Sequence, residues 1–157
     1  MPSSTVEVKQ QIKDILTEIS KYHLEIGVFE GKSKRKIKVG ITNAQLMFIH
    51  ENGSPLHNIP ARPVLEMTVN YARKKLVMPT IAKCIKSSLL GKNEIDLELN
   101  RLAIKVENYA RQIIYSNDGR LTPNAPSTIN KKGTNHPLFD TGQLARSITC
   151  MVVKDAI

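Results

Sequence analysis

The stretch PLFDTGQLARSIT, residues Pro137–Thr149, decides how the chain enters its last strand. Asp140 is placed to act as a helix N-cap, and Gln143, three residues later, is placed to reach back to the backbone N–H of the cap. Phe139 and Leu144 have the spacing of a hydrophobic staple across this helix start. We therefore predict a fixed structural corner, formed by Phe139, Asp140, Gly142, Gln143 and Leu144.

The segments on either side of this corner differ in character. After it, the apolar and β-branched run Ile148–Val153 predicts a strand. Before it, residues 116–136 are rich in Pro, Gly, Ser, Thr and Asn, which predicts a long loop without secondary structure. Such a loop is either mobile or ordered on a partner. Its candidate assembly residues are Arg120, Thr128, Lys131 and Lys132.

Four segments further upstream repeat apolar residues at helical spacing. Ser4 and Glu7 form a capping-box pattern at the start of the first helix, which either packs on its own domain or docks on a neighbouring subunit. Pro79 is expected to break or kink the third helix. The predicted helices are about Thr5–Lys21, Asn43–Glu51, Pro63–Leu90 and Asn93–Tyr115.

A basic segment lies between two alternating apolar runs. The runs His23–Glu30 and Ile37–Ile41 predict an antiparallel hairpin, whose tip is residues 31–36. The tip is either a solvated loop or a surface that contacts phosphates or an acidic protein. Its candidate contact residues are Lys32, Lys34, Arg35, Lys36 and Lys38.

Together these elements predict an α+β protein with a small, mainly antiparallel sheet. The sheet packs against a long antiparallel helix hairpin, and an extra helix lies at the N-terminus. We predict a single domain over residues 1–157, with the N-terminal helix at 1–22, the basic tip at 31–36 and the long loop at 116–136.

The composition indicates a globular protein with a polyanionic partner. The chain has 157 residues, 41% of them hydrophobic, and a formal net charge of +9. With three Phe, four Tyr and no Trp, it offers few stacking platforms for single-stranded nucleic acid. Cys84 and Cys150 lie in apolar surroundings typical of reduced core cysteines, and the sequence contains neither a signal peptide nor a membrane span. We expect a soluble protein made in a reducing cytoplasm.

Patterns typical of enzymes and cofactor sites are missing from the sequence. It contains no Gly-rich phosphate loop, no paired-Cys spacing, no His-Glu-x-x-His and no nucleophile elbow. His50, Glu51 and His57 do not have the spacing of a standard metal site. The expectation is therefore a protein without catalytic residues, metal or cofactor.

Three segments, in this order and spacing, resemble the tailed-bacteriophage virion-morphogenesis proteins, also called tail-completion, neck or head–tail joining proteins. The resemblance covers residues 24–153 and leaves the N-terminal helix outside, and Val64 departs from the family's usual aromatic residue. The matching segments are Ile26–Gly31, then His50–Gly53 with Ile59–Leu65, and finally Leu121–Thr128 with Lys132, Gly133 and Pro137–Leu144.

The resemblance implies a structural role without catalysis, in the neck or at the head-proximal tail end of a virion assembled in a bacterial cytoplasm. It implies a ring of copies, six in the particle, that contacts a tail terminator or a head-completion or connector ring. Contact with packaged DNA would suit the basic tip, and no membrane is involved. The alternative is a small basic module that binds nucleic acid.

Overall fold

The computed structural model describes residues 4–34 and 40–155. In this part of the chain, eight α-helices and a two-stranded antiparallel sheet give an α+β class, which confirms the predicted class and the N-terminal helix. The helices are α1 Thr5–Ile19, α2 Glu30–Ser33, α3 Asn43–Asn52, α4 Val64–Lys75, α5 Val77–Leu89, α6 Ile95–Ser116, α7 Pro126–Lys132 and α8 Gln143–Ser147. The strands are β1 Tyr22–Gly27 and β2 Thr149–Lys154.

The chain divides into two compact units. Among the described residues, the first unit comprises 4–25, 71–105 and 150–155, and the second comprises 26–34, 40–70 and 106–149. The sequence predicts a single domain, and the contacts within the chain fall into these two groups. Each unit has a buried cluster of its own.

Helix α1 starts at the capping box that the sequence predicts. Ser4 Oγ accepts a hydrogen bond from Glu7 N at 3.3 Å, and Glu7 Oε2 accepts one from Ser4 N at 3.2 Å. These bonds satisfy donors that have no partner within the helix. Of the two interpretations of this helix, packing on its own chain is confirmed, because α1 contacts α5 within the first unit.

The predicted helix through Pro79 is interrupted, and the break lies before the proline. Helix α4 ends at Lys75 and α5 begins at Val77, which makes Pro79 the third residue of α5. A proline ring collides with the carbonyl four residues earlier, here that of Lys75, so α4 cannot continue across it. After α5, Gly91 turns the chain with φ +76° towards α6, and Cys84, Ile95 and Leu99 bury their side chains together.

Strand β1 pairs with β2 in the described part of the chain. The predicted first strand is thus confirmed at Tyr22–Gly27, and the last strand is confirmed at Thr149–Lys154. The second run of the predicted hairpin is Ile37–Ile41, of which residues 37–39 lie outside the described residues, while Gly40 and Ile41 are not in a strand. The predicted loop is wrong at residues 31–33, because the chain forms helix α2 there, directly after β1.

The second unit is built around buried side chains from four helices and the segments that link them. Its cluster contains Met47 of α3, Val64 of α4, Ile113 of α6 and Leu144 of α8, each at most 4% exposed. Aliphatic side chains at this burial supply most of the folding free energy of a unit of this size. This core holds the surrounding irregular segments in place.

Candidate functional site

A cleft in the second unit has a volume of about 440 Å³. Its walls come from three separate parts of the chain, residues 46–62, 124–132 and 138–144. Basic, amide and hydroxyl side chains line it together with aliphatic ones. The polar and charged lining residues are His50, His57, Asn58, Arg62, Asn124, Ser127, Thr128, Lys132, Asp140, Thr141 and Gln143.

Arg62 lines this cleft and is buried, with 5% of its surface exposed. Its Nε donates to the carbonyl of Thr122 at 2.7 Å, and its Nη2 donates to the carbonyl of Pro123 at 2.8 Å. Nη1 lies 3.4 Å from His50 Nδ1. Burial lowers the pKa of Arg62. The side chain thus fixes the start of the 121–125 segment to the approach of helix α4.

The turn between α3 and α4 is locked by backbone and side-chain contacts. The carboxylate of Glu51 accepts hydrogen bonds from the backbone N–H groups of Leu65, at 3.0 Å, and Glu66, at 2.8 Å, and so caps the first turn of α4. The backbone N–H of Arg62 donates to His50 O at 2.6 Å. Gly53 has φ +74°, and a Cβ there would lie 2.9 Å from Ala61 N, so only glycine fits.

The prediction that residues 116–136 lack secondary structure is wrong, because helix α7 occupies Pro126–Lys132. Pro126 stands at the first helical position, and Gly133 ends the helix with φ +71°. A proline just inside a helix and a glycine just past its end are both common signals. The sequence carried this signal within a polar segment whose composition is typical of loops.

The ammonium group of Lys132, a predicted assembly residue, is turned towards the protein and is not freely exposed. Its Nζ donates to the carbonyls of His136, at 3.2 Å, and Phe139. Burial lowers the pKa of Lys132, nearby Arg62 lowers it further, and nearby Asp140 acts in the opposite direction. Thr128 lines the same cleft, whereas Lys131 is exposed and outside it.

Arg120, the fourth predicted assembly residue, is held by its neighbours. It forms an ion pair with Asp118 at 2.6 Å, and its guanidinium carbon lies 5.6 Å from the centre of the Tyr109 ring. Hydrogen bonds to Arg120 hold the pKa of Asp118 well below its usual range. Arg120 therefore orders the turn after α6, and the structure does not bring it into the cleft.

The predicted capping box at the corner is wrong. Helix α8 begins at Gln143, its N-cap is Gly142 in the left-handed conformation, and Asp140 makes no capping hydrogen bond. The N–H of Gln143 donates instead to Thr141 Oγ1 at 3.4 Å. The chain turns at Gly142, with φ +73°, so the helix starts three residues after Asp140.

Phe139 of the predicted hydrophobic staple packs against the buried cluster that contains Leu144, and it also belongs to an aromatic cluster. The Phe139 ring stacks on His136 at 4.6 Å between centroids and meets Tyr115 edge-on at 5.8 Å. Leu144 is 4% exposed in the core of the second unit. The corner therefore anchors the chain by aromatic and aliphatic packing, while Asp140 and Gln143 line the cleft.

The basic tip is described only in part. Lys32 lies in α2 and donates from Nζ to Thr149 Oγ1 at 2.8 Å, while Lys34 is exposed. Arg35, Lys36 and Lys38 are outside the described residues. The structure therefore brings Lys132 and Thr128 together with Asp140 and Gln143, and it does not bring them to Lys32 or Lys34.

The sequence analysis did not select Arg62, His50 or Asn124, although all three line the cleft. The available signal was an arginine between Pro60 and Pro63, in a segment whose neighbours are largely apolar. A charged residue in such a position is frequently buried and bonded. Nothing local in the sequence indicates which carbonyls it reaches.

No family model, curated protein or solved structure matches the chain. Among residues 4–34 and 40–155, no group of three or more His, Cys, Asp and Glu side chains is arranged to hold a metal ion. Within the same residues, no helix combines the length and the apolar character required to span a bilayer.

Proposed function

We propose that this chain is a structural protein of a tailed bacteriophage or prophage, which completes the head-proximal tail end or neck and enables head–tail joining. The observation that carries the proposal is the meeting of the family-like segments in one unit. Arg62 of the second segment bonds Thr122 and Pro123 of the third, some sixty residues away in the sequence. An ordered set of motifs that shares one hydrogen-bonded frame supports common descent more strongly than each motif alone.

The contacts of these motif residues favour a scaffold over a reaction centre. Glu51 caps a helix, Arg62 and Lys132 hold backbone carbonyls, and Gly53 and Gly142 occupy positions with positive φ. Each of these contacts fixes the path of the backbone. Such a frame suits a protein whose function is to present a defined surface to its neighbours.

Exposed apolar side chains on the second unit supply a surface suited to assembly. Leu56 is 93% exposed and Phe48 is 69% exposed. Leu56 stands on a 3₁₀ turn, Pro55–His57, within a loop closed by hydrogen bonds between Ser54 and Ile59. A partner that covered these side chains would gain the free energy of burying them. The proposed partners are copies of the chain in a ring of six and the adjoining terminator, head-completion or connector ring.

Deletion of the gene from its phage tests this proposal. We expect filled heads and unattached tails by electron microscopy, with a loss of infectious particles that the wild-type chain restores when supplied from a plasmid. Joined, infectious particles made without the chain would refute the proposal. In dilute solution we expect a monomer or weak oligomer by light scattering, and a stable free hexamer would contradict that part.

Nucleic-acid binding is the second candidate, favoured by the net charge of +9 and the five basic residues between Lys32 and Lys38. Binding of this kind tolerates any sequence and weakens steeply with salt, because it releases counterions from phosphates. Replacement of Lys34, Arg35 and Lys36 by alanine should then abolish most DNA binding in a salt titration. Binding that persists unchanged in this variant would exclude the basic tip as its source.

A further inference from the structure

We propose that the cleft of the second unit binds a carboxylate group of a partner polypeptide, with Lys132 and the guanidinium of Arg62 as its cationic wall. The choice of a polypeptide partner rests on the proposed assembly function. The binding site itself rests on the charges, donors and walls of the cleft.

Basic side chains outnumber acidic ones in the lining of the cleft. Arg62, Lys132 and two histidines line it, and Asp140 is the one acidic lining residue among the described residues. Ion pairs in the described part of the chain lie elsewhere, and none includes Arg62 or Lys132. Two cations that are partly withdrawn from water and not neutralised by a bonded carboxylate create a field that favours an incoming anion.

The cleft also holds more hydrogen-bond donors than the surrounding chain engages. A guanidinium has five N–H groups, and two carbonyls and one imidazole nitrogen meet three of those of Arg62. Lys132 has three N–H groups, and two carbonyls accept from it. The amide Nδ2 of Asn124 is buried, and within the described part of the chain no acceptor meets it. A carboxylate brings two oxygens that accept such bonds.

The remaining walls of the cleft decide which anion fits best. Leu46, Ile59, Leu138 and Leu144 line it beside the polar groups. A cavity of about 440 Å³ holds a side chain or a short peptide end. A DNA phosphate is flanked by sugar and further phosphates, which gain nothing from aliphatic walls. A Glu side chain or a C-terminal carboxylate next to a Leu fits the cleft, because the carboxylate suits the basic groups and the Leu side chain suits the aliphatic ones.

The test uses two probes that differ only in charge, acetyl-Gly-Leu-Glu-amide and acetyl-Gly-Leu-Gln-amide. Each is titrated into the ¹⁵N-labelled full chain while the amide signals of Thr128, Gly142 and the Asn124 side chain are followed. We expect the Glu probe to shift these signals and to bind at least about tenfold more tightly than the Gln probe. Equal binding of the two probes, or no binding of the Glu probe, would overturn the proposal.

Lys132→Gln should weaken the Glu probe about tenfold without changing the Gln probe. Its matched control is Lys131→Gln, which removes the same charge from the neighbouring exposed residue outside the cleft and should leave both probes unchanged. Equal losses in the two variants would show that overall charge alone drives binding. That result would also reject the site.

A second variant avoids the structural bonds of Lys132. Gln143→Glu adds a carboxylate to the cleft wall and should repel the Glu probe, whereas Asn130→Asp adds one at an exposed position outside it and should not. Unchanged binding in Gln143→Glu would contradict the proposed position. Tighter binding of inorganic phosphate than of the Glu probe, with the same signals shifted, would replace the carboxylate with a phosphate ligand. Because these measurements use the purified chain, they can fail while the gene deletion still supports the assembly function.

Discussion

Two sets of charged side chains, one in each unit, stabilise the chain in different ways. In the first unit, Glu18 pairs with Lys21 and Lys154, each at 2.7 Å, and about a third to a half of each side chain remains exposed. In the second, Arg62 and Lys132 turn inwards and donate to backbone carbonyls. Exposed ion pairs contribute little to stability, whereas a buried donor that is removed leaves its acceptors without a partner.

This difference shows how each unit keeps its shape. The first unit consists largely of long helices and of most of the paired strands β1 and β2, whose backbone groups bond one another. The second contains long irregular stretches, and buried side chains supply the donors that regular structure does not. Substitutions of single polar residues should therefore affect the second unit far more than the first.

The largest effect is expected for Arg62→Met. This substitution removes the hydrogen bonds to Thr122 and Pro123. Because the donor of these bonds is charged, we expect the free energy of unfolding to fall by about 3 kcal/mol. Urea denaturation measures the loss. Arg73→Met, at an exposed position of the first unit, is the control and should change the free energy by less than about 0.5 kcal/mol. Equal losses would remove the proposed distinction between the units.

Two glycines give a matched test of intermediate size. Gly53→Ala forces a Cβ to within 2.9 Å of Ala61 N at φ +74°, so steric overlap adds to conformational strain, at about 2–4 kcal/mol in total. Gly91→Ala in the first unit has a similar φ of +76° and open space around the new Cβ, and should cost about 1 kcal/mol. Thermal denaturation of both variants compares them. A larger cost at Gly91 would mean that the α3–α4 turn is less rigid than its contacts indicate.

The smallest effect concerns Glu18, and it is seen as a change of stability with pH in the acid range. Hydrogen bonds to Lys154 and Lys21 lower the pKa of Glu18 from 4.5 to about 2. Because the folded pKa is lowered, the stabilisation is present above pH 4.5 and is lost as the pH falls towards about 2. Glu18→Gln should flatten the dependence of Tm on pH in this window. Glu30→Gln, at an exposed carboxylate of the second unit, serves as the control, and an identical profile in both variants would contradict the assignment.

Local patterns predicted the elements of the chain better than its irregular segments. The Ser4–Glu7 capping box and the interruption near Pro79 follow from contacts within a few residues, and both are present. Helix α7 had its signals in Pro126 and Gly133, yet the polar composition outweighed them. At the corner, the sequence predicted Asp140 as the N-cap, whereas the chain turns at Gly142 and the helix starts three residues after Asp140.

From the amino-acid sequence alone, the α+β class, the N-terminal helix and the positions of both strands could be predicted, because each follows from a pattern among residues close together in the chain. The folded chain was needed to show that β1 pairs with β2, that Arg62 is buried against Thr122 and Pro123, and that Lys132 shares a cleft with Arg62. A guanidinium or ammonium group bonds any carbonyl that the fold brings near. Its partners are therefore set by the path of the whole chain and are not encoded in the residues beside it.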